Sequence, residues 1–147
     1  MESFAFDVAE TARLIRREFN RRAGALGATR SQWRVLARLA RFGDGIRQIE
    51  LADALDVEPI TLCRMIDRLE EAGLVERRRD ATDRRAWLIH LTPAAAPIVA
   101  DLEALADDFN RDMLAGLSEA DRILAEQVLS RVRDNLGAID ALSRKAS

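Results

Sequence analysis

Five arginines, at 77, 78, 79, 84 and 85, fall within a nine-residue segment against two acids, Asp80 and Asp83. It is the one strongly basic patch of the chain, and guanidinium groups at that density suit phosphate oxygens, which they meet with paired N–H donors. Upstream, the run from Pro59 holds Leu62, Ile66 and Leu69 at helical spacing, so these face a core and leave Thr61, Arg64 and Arg68 on another side. Arg64 could bond bidentately to guanine O6 and N7, and Thr61 could meet a base or a phosphate; Arg68, a turn deeper, suits a phosphate. An arginine in the basic segment can enter a narrow minor groove, and Asp83, two residues before Arg85, can hold that guanidinium extended.

The elements that must hold these residues follow from periodicity. Phe4, Val8, Ala12, Ile15 and Phe19 mark one face of a helix over about 4–23, which Gly24 and Gly27 break. Thr29 with Gln32 makes a capping box at the start of a second helix, about 30–42, whose Trp33, Val35, Leu36, Leu39, Ala40 and Phe42 place it near the middle of the domain. Ile49, Leu51, Ala52 and Leu55 form a short third helix, and Pro59 starts another that runs to about Ala72 and closes at Gly73. Two short helices joined by Asp56, Val57 and Glu58 read as a helix-turn-helix.

Beyond Gly73 the period drops towards two. Leu74 to Arg78 and Ala86 to Leu91 flank a polar tip, Arg79 to Arg85, so the basic patch is the end of a hairpin with a long loop. Thr92-Pro93 then caps a long helix along Ile98, Leu102, Leu105, Phe109 and Met113 to about Leu117. Ser118 caps the last helix, with Leu124, Val128, Val132, Leu136, Ile139 and Leu142 on its apolar side. The fold class is mainly α with a small β-hairpin, a winged helix-turn-helix at about 30–91 between helices at about 4–23 and 93–144. Three apolar stripes several turns long exceed the surface that one small domain offers to cover them, and a symmetric dimer is the simplest remedy.

Composition narrows the function. The chain has 147 residues, room for one domain, and carries 48% hydrophobic and 33% charged residues, which suits amphipathic helices and excludes a disordered chain. Its net charge of −2 hides an asymmetry: residues 1–91 are net +2 and residues 92–147 net −4. No apolar run approaches the ~20 residues of a membrane span and no signal peptide opens the chain, so a cytosolic protein with no membrane partner is expected. One cysteine, Cys63, and one histidine, His90, allow neither an internal disulfide nor a zinc cluster, so no metal or cofactor is expected. Neither a Ser/His/Asp set nor a Gly-rich phosphate loop is present, and an enzyme is not expected. Cys63 reads as a small hydrophobe rather than a redox switch, and His90 as a strand residue rather than a pH sensor.

The run from Gln48 to Thr92, QIELADALDVEPITLCRMIDRLEEAGLVERRRDATDRRAWLIHLT, resembles the multiple antibiotic resistance regulator (MarR) family of bacterial transcription factors. Its most specific parts are ITLCRMIDRLEEAGLVERR and the motif DATDRR before a short strand ending in Leu-Thr, and the helix order on both sides fits as well. The resemblance implies a winged-helix homodimer on a palindromic operator, dimerised through the first and the last two helices. It also implies release of DNA by a small, often phenolic or anionic, molecule. By position it makes Pro59, Ile60, Thr61 and Arg64 the readers and Arg85, after Asp83, the minor-groove residue. Arg68, Arg77, Arg79 and Arg84 complete the expected DNA contacts. Arg16, Phe19, Trp33 and Phe109 would line the effector pocket.

A sequence-specific regulator, acting as a repressor, is therefore the first expectation. A winged-helix module for an acidic protein partner, or an architectural protein that binds DNA without sequence preference, is the alternative. Thr61 and Arg64 beside the basic hairpin favour DNA, as does a dimer that sets two readers about one helical turn of DNA apart.

Overall fold

The computed structural model describes residues 3–27 and 29–146. The chain forms two compact units, Met1–Phe109 and Asn110–Ser147. The first holds α1 (Phe4–Ala25), α2 (Arg30–Phe42), β1 (Ile46–Arg47), α3 (Gln48–Ala54), α4 (Pro59–Glu71), β2 (Val75–Arg79), β3 (Trp87–Leu91) and most of α5 (Ala96–Met113); α6 (Glu119–Lys145) lies in the second. Among the described residues no helix is long and apolar enough to cross a membrane.

Helix α1 buries one side chain per turn only in part, at Val8, Ala12, Ile15 and Phe19, and reaches full burial at Ala23. It continues through Gly24, against expectation, because a single glycine weakens a helix without ending it, and stops before Gly27, whose φ of +78° no helix accommodates. The capping box of α2 is present: the Gln32 N–H donates to Thr29 Oγ1 at 3.2 Å and the Thr29 N–H to Gln32 Oε1 at 3.1 Å. Val35, Leu36 and Leu39 of this helix are buried, whereas Phe42 is 67% exposed under the Arg38 guanidinium, 3.9 Å from its ring centroid. Phe42 thus does not join the core that its periodicity predicted.

The strands form one antiparallel sheet in the order β1-β3-β2. Val75, Arg77 and Arg79 oppose Leu91, Ile89 and Trp87 and share one face, which Ile46 of β1 extends through its pairing with Ile89. Val75 and Ile89 on that face are fully buried and join Leu36, Leu51, Leu62, Ile66 and Leu69 in a single core. A two-residue strand is too short to carry a period, and β1 goes unseen in the sequence for that reason.

One helix start and one helix end differ from expectation. Pro93–Ala95 is a separate 3-10 turn ahead of α5, and the Thr92 hydroxyl caps nothing; it donates to the Gly73 carbonyl at 2.6 Å and ties the end of the hairpin to its beginning. Helix α5 stops at Met113, one turn short of Leu117. In the second unit Ser118 caps α6 through the Asp121 N–H at 3.1 Å, and Leu124, Val128, Leu136, Ile139 and Leu142 stay exposed along this helix.

Leu36 is among the largest fully buried side chains of the core. Truncating it removes its transfer free energy and leaves a cavity, so Leu36→Ala should lower stability by about 2–5 kcal/mol in equilibrium denaturation. A loss well below that range would show that the site collapses freely or that Leu36 is not in the core.

Candidate nucleic-acid interface

The turn between α3 and α4 is closed from within. The Val57 N–H donates to the Ala52 carbonyl and the Asp56 N–H to the Asp53 carbonyl, both at 3.0 Å, with Asp56 at φ 52°, a left-handed position that aspartate tolerates better than most residues. From α2, Arg34 Nη2 donates to the Leu55 carbonyl and fixes the same turn to the scaffold. Pro59 then occupies the first position of α4, where its fixed φ suits the helix and no N–H is missed.

Leu62, Met65, Ile66 and Leu69 turn into the core, and Pro59, Ile60, Thr61, Arg64 and Arg68 are exposed. Ile60, 66% exposed, is an apolar side chain held out in water at the start of the helix, where a thymine methyl could cover it. Thr61, Arg64 and Arg68 fall at i, i+3 and i+7 on one stripe.

The wing is the loop between β2 and β3. Asp80 N–H donates to the Ala86 carbonyl at 3.2 Å, and Ala86 N–H to the Asp83 carbonyl at 3.0 Å. Asp83 Oδ1 accepts the Arg85 N–H at 3.0 Å and lies 3.9 Å from Arg85 Nε, while the Arg85 side chain is 97% exposed. The tip thereby presents a guanidinium to solvent from a backbone its own aspartate holds. Arg84 is exposed, and its carbonyl accepts from Arg79 Nη1 at 2.6 Å. The Arg79 guanidinium stacks 3.9 Å above the Trp87 ring, so that residue braces the loop it was expected to charge. Arg78 pairs with Glu76.

Asp80 anchors the base of the wing. Its Oδ1 accepts the Thr82 N–H and hydroxyl at 2.9 and 2.8 Å, and its Oδ2 meets Arg47 Nε and Nη2 at 2.9 and 2.8 Å, which fastens the loop to β1. A cleft of about 260 Å³ separates Pro59 at the start of α4 from Arg85 and Trp87 of the wing, floored by Arg47, Gln48 and Ile49.

Arg77 departs from its expected place. Its side chain is 13% exposed and turned inward, with Asp67 and Glu70 of α4 on its guanidinium, so it does not offer a free cation to a ligand. The sequence holds the signal for this: in a period-2 strand Arg77 shares its face with Val75, and Asp67 and Glu70 sit on neighbouring turns of the preceding helix.

Of the four residues expected in an effector pocket, three come together. Phe19 lies 4.7 Å from Trp33 and 6.0 Å from Phe109 between ring centroids, Trp33 Nε1 donates to Asn20 Oδ1 at 3.0 Å, and the Arg22 guanidinium covers Phe109 at 5.1 Å. Arg16 is exposed and stands apart from these rings' contacts; burial lowers the Arg34 pKa, and repulsion from Arg30 and Arg16 lowers it further against the attraction of Asp56. Sequence reasoning missed Arg22, which periodicity places merely among the polar residues of α1.

A model of the MarR family matches residues 28–87, the span from α2 to the start of β3. The structure described as the transcriptional regulator PA3341 is 44% identical, with a TM-score of 0.83 over 92% of this chain and 98% of that one. A MarR transcriptional regulator from Methanosarcina mazei Go1 is 25% identical, with a TM-score of 0.80 over 92% and 96%. MepR from S. aureus, solved as a DNA complex, is 21% identical, with a TM-score of 0.73 over 92% and 99%, and shares the fold.

The Asp80 carboxyl is held below its ordinary range, first by the Thr82 N–H and then by its hydroxyl; burial opposes them, and Arg47 lowers it further. A depressed carboxylate stabilises the folded wing above its unfolded pKa, and that contribution disappears as pH falls through the lower folded value. Wing order should therefore be flat across neutral pH and fail only in acid. Asp80→Ala should speed amide hydrogen exchange at Thr82 and leave Ile66 in the core unchanged; equal rates at Thr82 would contradict the anchor.

Proposed function

The chain belongs to the MarR family of transcriptional regulators, and on that premise we propose that it binds a palindromic DNA operator as a homodimer, represses transcription from it, and lets go when a small molecule binds. The observation that carries this reading is the pairing of two outward surfaces on one scaffold, the stripe of Thr61, Arg64 and Arg68 on α4 and the extended Arg85 of the wing. A recognition helix in the major groove and a wing arginine in the adjacent minor groove need that pairing.

Roles divide by chemistry. Arg64 and Thr61 read base edges, with Pro59 and Ile60 packing against them at the helix start; Arg68 and Arg84 meet phosphates. Arg85 enters the minor groove, and Asp83 sets its backbone. Arg79 holds the tip from Trp87. The acidic balance of residues 92–147, net −4, keeps the last two helices off the phosphates.

Dimerisation is supported by what the helices leave uncovered: Phe4, Phe6 and Leu14 of α1, and the long apolar side of α6. Phenolic or anionic effectors suit the group of Phe19, Trp33 and Phe109 with a guanidinium at its edge, where an aromatic ring could stack and a carboxylate could pair. MepR, of the same fold, is held on DNA. A cytosolic place of action follows from a chromosomal target.

Titration of duplex DNA at several salt concentrations tests the reading. Arg85→Ala should weaken binding to every sequence and reduce the salt slope by about 1 for each protomer. Arg64→Ala should instead cost about 1–3 kcal/mol on the operator and relax preference at one base pair of each half-site. An unchanged salt slope in the first variant and an unchanged preference in the second would overturn the assignment.

A further inference from the structure

The middle of the inward face of β2 is occupied by a charge. Arg77 sits in register with the buried Ile89, two residues after the buried Val75 on the same face, where an apolar residue is the ordinary choice. Each of its three guanidinium nitrogens has a partner. Nε donates to Gln48 Oε1 at 3.0 Å, at the first residue of α3. Nη1 meets Glu70 Oε1 at 3.1 Å, and Nη2 meets Asp67 Oδ1 at 2.7 Å and the Cys63 carbonyl at 3.2 Å. Its own backbone N–H donates to Glu70 Oε2 at 3.0 Å.

Cys63, Asp67 and Glu70 are i, i+4 and i+7 along α4, so one guanidinium grips two turns of the helix along a single stripe. At about 100° per residue, that stripe lies about a third of a turn from both the core face and the face of Thr61, Arg64 and Arg68. Apolar packing at Leu62, Ile66 and Leu69 holds α4 against the core but is non-directional, and it resists rotation of the helix about its axis only weakly. The guanidinium fork is planar and directional, and it also holds α3 and β2, the strand that leads into the wing. A bidentate base contact has a tolerance of a few tenths of an ångström, so the rotation of α4 decides whether Arg64 reaches its base.

We propose that Arg77 is a positioning residue for sequence reading: it touches no DNA, and it fixes the rotation of the recognition helix relative to the wing so that Arg64 and Arg85 engage one site together. The role rests on the DNA-reading function proposed above. Lysine cannot replace arginine here, because a single ammonium cannot reach Gln48, Asp67, Glu70 and the Cys63 carbonyl from one position.

The test compares the full-length wild type with Arg77→Lys, Arg77→Gln, Asp67→Asn and the Arg77→Gln/Asp67→Asn double variant. Each is titrated against the duplex that wild type selects from a random library and a scrambled duplex of equal length, over a range of salt. Arg77→Lys, which keeps the charge, serves as the variant least disturbed in folding, and near-ultraviolet circular dichroism verifies its packing. Both Arg77 variants should lower the ratio of operator to scrambled affinity at least tenfold while the salt slope on the scrambled duplex stays at the wild-type value. Asp67→Asn should also weaken operator binding, although it removes a negative charge that repels DNA, and the double variant should be no worse than Arg77→Gln alone. A salt slope reduced by about 1 per protomer in Arg77→Gln would make the residue a phosphate contact and overturn the proposal. Tighter operator binding by Asp67→Asn, or an unchanged affinity ratio in both Arg77 variants, would overturn it too. A wild type that prefers no duplex would instead overturn the DNA-reading function, and this role with it.

Discussion

The burial of Leu62, Met65, Ile66 and Leu69 against the sheet and helices α2 and α3 is the constraint on which the interface depends. A helix of 13 residues that commits one face to a core has only the remaining arc for anything else. In α4 that arc is divided: one stripe takes the Arg77 network, and the other is left to Thr61, Arg64 and Arg68, with Pro59 and Ile60 exposed in the first turn. Residue spacing alone makes the division, since 62, 66 and 69, then 63, 67 and 70, then 61, 64 and 68, are three stripes of one helix.

The arginine-rich hairpin follows the same logic of alternation. A strand sends successive side chains to opposite faces, so neighbouring arginines of β2 inhabit different environments. Arg77 goes inward to carboxylates, Arg78 pairs with Glu76, and Arg79 lies on Trp87, its cross-strand partner. Past the strand end, where Asp80 and Asp83 fold the loop by accepting backbone N–H groups, Arg84 and Arg85 are both exposed, and the Arg85 guanidinium reaches into solvent beside Asp83. Three of the five arginines of the basic run are thus engaged within the protein, and charge density by itself overstates the number of groups available to phosphate.

Much of this was legible in the residues. The capping box at Thr29, the proline start of α4, the exposed stripe of Thr61 and Arg64 and the hairpin after Gly73 all rest on local rules, and local rules survive folding. Strand β1 was not legible, because two residues show no period, and Thr92 was misread because a hydroxyl ahead of a proline has a second option, the Gly73 carbonyl nineteen positions earlier in the chain. Arg77 was misassigned for a different reason: its neighbours in sequence are cations, and its neighbours in space are Asp67, Glu70 and Gln48. Phe42 followed the helical period and still points into water, since α2 outruns the core it packs on.

Selection of bound duplexes from a random library at physiological salt, using the full-length protein, addresses the central claim most directly. A dimer that presents α4 and Arg85 from each protomer should enrich a palindrome whose half-sites are centred about ten base pairs apart. Salt-sensitive binding with no enriched sequence would contradict a reading helix and leave only backbone contact; enrichment of an unpaired single half-site would contradict the dimer.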